Sequence, residues 1–265
     1  MKLLNEDHKM RNSNNPFERF NLEHLSSQSI NLFISNLPLF IIKYLVGYRS
    51  PMNAAMLRGI TSDKMIGEIA IDPTIELSDI VERGHKYFNE SIEDLVDEPE
   101  KILNEKNNIS KYINIGVPFY KKLGKPETYQ ERVELNFDEI PLPIIGFADL
   151  SYKDCVRDIK TTARKPSEMP DQVQRQLAIY ATALEKPRAF ADYLVVSKTK
   201  EQVITLEVEE VNMRLDEVYR TSLAIMNLLH NNDINSLVDQ TYPDFSDWRW
   251  DAGSIAEARK LWRIK

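Results

Sequence analysis

The chain has 265 residues, enough for one large core or two small ones, and its 42% hydrophobic and 28% charged residues exclude a disordered or fibrous chain. A formal net charge of −7 excludes a coat of positive charge, and a single cysteine, Cys155, excludes an internal disulfide, a thiolate zinc site and an iron-sulfur cluster. Glycine is scarce at 8 residues, with no Gly-rich phosphate loop and no Gly-x-Ser-x-Gly elbow, which argues against an ATP-driven motor or a serine hydrolase.

Met1 to Arg19 is polar and Asn-rich, with no signal peptide evident, and residues 1–20 are expected to form a flexible arm. The most apolar stretch, Ile30 to Leu45, is interrupted by Asn31, Ser35, Asn36, Pro38 and Lys43, so it is too short and too broken for a bilayer. Its spacing predicts a helical pair or a kinked helix that starts at Ser26 or Ser27 and breaks at Pro38. Ala54 to Leu123 reads as successive helices broken by Pro73, Pro99 and Pro118, with Asp97–Glu100 and Asn104–Asn108 as loops.

Tyr129 to Phe137 alternates as a strand, with Val133, Leu135 and Phe137 on one face. Two apolar runs of strand length follow, Ile144 to Leu150 and Cys155 to Lys160, joined by a hairpin-sized Ser151–Asp154. Pro170 and Asp171 open a helix to Leu184, because a fixed φ and a negative charge suit a helix N-terminus. Val173, Leu177, Tyr180 and Leu184 form its apolar stripe, and Gln172, Gln176 and Tyr180 border it at intervals of four. Ala189–Ser197 and Gln202–Val208 are strands around a polar turn, Glu209–Leu229 is a long amphipathic helix, and Trp248 and Trp250 anchor a last helix over Ala256–Ile264. The expected fold is α/β, with a sheet of about five strands, flanking helices and an N-terminal helical lobe. Residues 21–265 then form a single domain, mainly helical over 21–125, a sheet core over 126–210 and C-terminal helices over 211–265.

Chemistry concentrates in the two apolar strands. Asp149 closes the first, and Asp158 and Lys160 sit two apart on the second, so they share one face. Two carboxylates and an ammonium converging on one volume suit phosphodiester hydrolysis. Carboxylate oxygens hold magnesium or manganese, the ion lowers the pKa of a bound water, and a lysine steadies charge in the transition state. Taken alone, Asp-x-Lys describes many solvated sheet faces, and the neighbouring Asp149 and Gln176–Tyr180 helix raise its weight.

Asp149, Asp158-Ile159-Lys160 and Gln176-Leu-Ala-Ile-Tyr180 together resemble the PD-(D/E)XK nuclease superfamily in its RecB-like and phage exonuclease branch. The tail Thr161-Thr-Ala-Arg164 is similar to that branch as well. The resemblance implies a restriction-endonuclease-like core and a metal-dependent DNA nuclease, an exonuclease in DNA recombination, repair or degradation. It also implies DNA as partner, single- or double-stranded, and leaves room for a homo-oligomer or a recombination partner protein. The setting would be cytoplasmic, in a bacterial or phage-infected cell, with no membrane.

The branch carries a further Arg-Gly motif followed by a metal-reaching His or Glu, and Leu57-Arg58-Gly59-Ile-Thr-Ser-Asp63 places Asp63 at that point. Glu68 competes, but residues five apart stand roughly 140° from each other around a helix, so the two cannot both face one ion easily. Asp63, Asp149 and Asp158 would then ligate the metal, with the Ile159 carbonyl completing the shell. Lys160 would assist the attacking water, and Gln176 and Tyr180 would orient Lys160 or the substrate. Arg58, Arg164 and Arg175 are the candidate substrate contacts, within a basic strip that also draws on Lys153, Arg157 and Lys165. Two other readings stand beside this one. The chain could be a non-catalytic nucleic-acid-binding or assembly protein with a degraded site, or an unrelated α/β protein in which the trio is a surface ion network.

Overall fold

The structure, a computed structural model, describes residues 15–93 and 95–265. The described residues form two compact units, one of residues 15–50 with Glu134–Gly146 and Met213–Lys265, and one of Pro51–Val133 with Phe147–Asn212.

In the first unit, α1 (Ser27–Ser35) starts at a capping box in which the Ser26 and Ser29 hydroxyls each accept from the other's backbone N–H. It ends at Asn36, which caps α2 (Leu37–Phe40), and the chain continues as a π-helical turn over Ile41–Leu45. The break therefore falls at Asn36 and not at Pro38. Pro38 occupies the first turn of α2, where its missing N–H costs nothing. The expected arm ends early: Phe17 is fully buried and Phe20 nearly so, while residues 1–14 lie outside the described residues. The last helix, Ala252–Leu261, opens at a second capping box between Asp251 and Ser254. Tyr48 and Ser50 also donate to Asp251, each at 2.6 Å. Trp250 is buried beside it, but Trp248 is 89% exposed and anchors nothing within this unit.

The second unit carries the sheet. Helices α3 (Ala54–Ile71), α4 (Leu77–Glu90) and α5 (Pro99–Leu123) pack on one another, with Leu57, Ile66, Ile109, Ile113 and Tyr120 in a common core. Two sequence expectations fail in α5. Asn104–Asn108 is helical, because Ile102, Ile109, Ile113 and Tyr120 keep a buried face at helical spacing through the polar run. Pro118 does not end the helix; it lies on the exposed side, and so does Asn114, so the carbonyl that proline cannot meet with an N–H faces the solvent side.

Strands β1 (Thr128–Leu135), β2 (Ile144–Ser151), β3 (Cys155–Thr162), β4 (Arg188–Val196) and β5 (Glu201–Glu207) form one sheet in the order β1-β2-β3-β4-β5. The sheet is mixed: β2 and β3 form an antiparallel hairpin, β3 and β4 run parallel across α6 (Asp171–Ala183), and β5 returns antiparallel. The protein is thus a mixed α/β fold with a five-stranded sheet flanked by helices. Odd-numbered residues of β3 turn toward α3 and α5: Ile159 joins their core and Thr161 accepts from Arg58. The even-numbered Asp158 and Lys160 turn toward α6. A long helix, α7 (Val211–Asn231), and a short one, α8 (Ile234–Gln240), lie between β5 and the last helix, so the Ala252–Leu261 helix is α9.

Candidate active site

Asp158 and Lys160 sit on β3 and meet α6 at Gln176. Lys160 Nζ lies 2.8 Å from Asp158 Oδ2 and donates to Gln176 Oε1 at 3.2 Å. The Gln176 amide nitrogen donates to Asp158 Oδ1 at 3.1 Å and to the Tyr180 hydroxyl at 2.9 Å. One amide thus fixes both a carboxylate and the ammonium. Helical spacing puts Gln176 and Tyr180 one turn apart, which is why they meet.

Asp149 enters from β2. Its Oδ2 accepts from the Ile159 backbone N–H at 2.7 Å, so the strand hairpin itself places the carboxylate beside Asp158. Asp63 comes from α3 and joins through Gln130 of β1. The Gln130 amide nitrogen donates to Asp63 Oδ2 at 2.8 Å and to Asp149 Oδ1 at 3.0 Å. Gln130 holds φ at 52° inside a strand, a left-handed conformation that side chains other than glycine rarely adopt. Sequence reading missed this residue, since a glutamine in an alternating strand carries no signal of an unusual backbone.

The electrostatics follow from crowding. Burial, then the neighbouring Asp158 and Asp63 charges, pushes the Asp149 carboxyl well above the usual range. Burial and Asp158 push Asp63 up to about 7. For Lys160 burial pulls downward, but Asp158 and Asp149 outweigh it and raise the ammonium above its ordinary value. Lys160 is therefore charged at neutral pH. Burial lifts the Tyr180 phenol to about 12, so it stays a neutral hydroxyl.

Of the expected site residues, Asp63, Asp149, Asp158, Lys160, Gln176 and Tyr180 come together, with Ile159 contributing its N–H to Asp149. Glu68 does not join them; it stands 3.8 Å from both Lys64 and Arg83. Arg58 is committed elsewhere, with Nη1 2.7 Å from Glu105 and its guanidinium over the Tyr112 ring. Arg157 leaves the expected basic strip altogether. Its odd number sends it to the opposite sheet face, where it is buried in a bidentate pair with Asp192, both bonds at 2.7 Å. Arg164 and Lys165 are exposed just beyond β3, Lys153 is exposed in the hairpin turn, and Arg175 is half-buried on α6.

Three carboxylates supply the hard oxygen donors that magnesium or manganese takes, and Asp63 Oδ1 is buried without a hydrogen-bond partner. In donor chemistry the residues fit such an ion. Among the described residues, however, no group of three or more His, Cys, Asp or Glu side chains stands in ligating geometry. No described helix is long and apolar enough to cross a membrane.

No family model and no curated protein matches the chain. Among solved structures, the crystal structure of SSO0001 is similar over 80% of this chain and 94% of its own, at 16% identity and a TM-score of 0.34. So slight a likeness bears on neither fold nor function.

Proposed function

We propose that the chain is a metal-dependent deoxyribonuclease of the PD-(D/E)XK type, of the RecB-like and phage exonuclease branch, that hydrolyses phosphodiester bonds. The observation that carries this reading is the cluster in which Lys160 contacts Asp158 and Gln176 while Asp149 and Asp63 close in from β2 and α3. A surface ion network keeps its acids in water, whereas Asp158 is buried beneath a half-buried Lys160, and burying such a charge costs more than exposed pairing returns.

In this reading Asp63, Asp149 and Asp158, with the Ile159 carbonyl, hold magnesium or manganese, which when bound polarises the phosphate and acidifies a water. Lys160, charged at neutral pH, acts as a donor: its N–H groups orient the attacking water and meet charge developing on phosphate oxygens. Gln176 holds Lys160 at the angle that makes this possible, and Tyr180 holds Gln176. Arg164 and Lys165, exposed past β3, are the candidates for neighbouring phosphates, and Arg175 borders the same helix.

Asp63, standing where the resembled branch has His or Glu, supports a second reading, a nucleic-acid-binding or assembly protein that keeps the fold without the reaction. The two separate cleanly. End-labelled linear duplex, single-stranded and closed circular DNA are incubated with magnesium, manganese or EDTA. Metal-dependent cleavage that is lost in a folded Lys160→Ala variant establishes the nuclease, and sparing of the circle makes it an exonuclease. Binding without cleavage in the wild type establishes the second reading.

A further inference from the structure

We propose that Gln130 is a displaceable stand-in for the cation: its side-chain amide holds Asp63 and Asp149 together while the site is empty and must be pushed aside for a divalent ion to bind. The inference rests on the nuclease reading above and concerns how that site takes its ion.

The Gln130 nitrogen lies within 3.0 Å of one oxygen from each of two carboxylates, and its two N–H donors serve both. That is where an ion shared by Asp63 and Asp149 would compete. Two ionised carboxylates bridged by a single amide nitrogen stand close enough to repel each other. A neutral amide relieves the repulsion only in part, whereas an ion of charge +2 relieves it in full. Two further features make the amide easy to displace. Gln130 is exposed, so the side chain has room to swing out, and its backbone is held in a left-handed conformation inside a strand.

The test is manganese binding, read from the free-ion signal in electron paramagnetic resonance, on the full chain with and without substitutions. Gln130→Ala and Gln130→Gly remove the amide, and glycine also relaxes the backbone. Both should bind manganese about tenfold tighter, since two charge-assisted bonds no longer compete, and both should melt lower than wild type in EDTA but gain more from manganese. Gln130→Lys places a permanent ammonium among the acids and should abolish manganese binding while raising the melt in EDTA. Equal or weaker manganese binding by folded Ala and Gly variants would overturn the proposal, as would wild-type affinity in Gln130→Lys. If the wild type cleaves DNA with manganese and the Ala and Gly variants bind it no better, displacement alone fails. If the wild type neither binds manganese nor cleaves, displacement and the nuclease reading fail together.

Discussion

Lys160 is the residue whose loss should separate chemistry from fold. On the proposed nuclease reading, Lys160→Ala removes the donor between Asp158 and Gln176 and should cut cleavage by roughly 10²–10³-fold, the usual loss for one transition-state donor, while circular dichroism and manganese binding persist. Gln176→Leu acts through Lys160 and should lower kcat with little change in KM, because the strand still docks while the ammonium loses its fixed angle. Asp63 gives a pH signature without any substrate. Its carboxyl titrates at about 7 in the fold against 3.8 ordinarily, so between those values the folded chain holds a proton that the unfolded chain has released. Stability in EDTA should therefore fall as pH rises from about 4 to about 7, and Asp63→Asn should make that slope shallower in melts across the range, the raised Asp149 supplying the remainder. Much of this residue-level picture was legible beforehand, since strand alternation alone sets Asp158 and Lys160 on one face. The same alternation would have removed Arg157 from the basic strip. Gln130 was not legible, because left-handed backbone at a non-glycine strand position is imposed by tertiary contacts and leaves no local mark.

Among the elements, β4 is held to its neighbours by more than its ladder. Asp192, fully buried, accepts from Arg157 on β3, Thr205 on β5 and Tyr120 on α5. Arg157 in turn lies over the Phe190 ring and beside Phe119. Removing one partner leaves a buried charge, so Arg157→Met should destabilise by about 3–5 kcal/mol in urea denaturation, and the double variant Arg157→Met with Asp192→Leu should recover most of that loss. Close helix contacts also select residue size. A Cβ at Gly116 would come within 2.5 Å of Ile66 and 2.7 Å of Leu194, which explains why α5 carries glycine where it meets α3 and β4. The strands, α6 and the long α7 were readable because apolar spacing, turn residues and N-terminal signals agreed there. In α5 they disagreed: Asn104–Asn108 and Pro118 read as breaks, and the buried face prevailed over them.

For the whole molecule, the balance of charge sets how a polyanion is approached. The net charge is −7, and Arg58 and Arg157 are spent on internal carboxylates. On the proposed nuclease reading, with the exposed Arg164 and Lys165 as the phosphate contacts, the logarithm of DNA affinity should fall with the logarithm of salt at a slope of only about −2, measurable by fluorescence anisotropy between 50 and 200 mM salt. On the same reading EDTA should weaken binding as well as stop cleavage, because Asp63, Asp149 and Asp158 would then face the phosphates without a counter-charge.

The candidate site also has a history written in its chain separations. Ile159 and Asp149 are 10 residues apart, Lys160 and Gln176 are 16, and Asp158 and Gln176 are 18, but Gln130 reaches Asp63 across 67. Closing short loops costs less entropy than closing long ones, so the hairpin and α6 can assemble their contacts as a near-local unit before α3 delivers Asp63. The same order run backwards makes Asp63 the first acid to leave under mild denaturant. Hydrogen exchange at moderate urea should then find α3 opening while β3 and α6 remain protected, so that the three acids part company well before the sheet gives way.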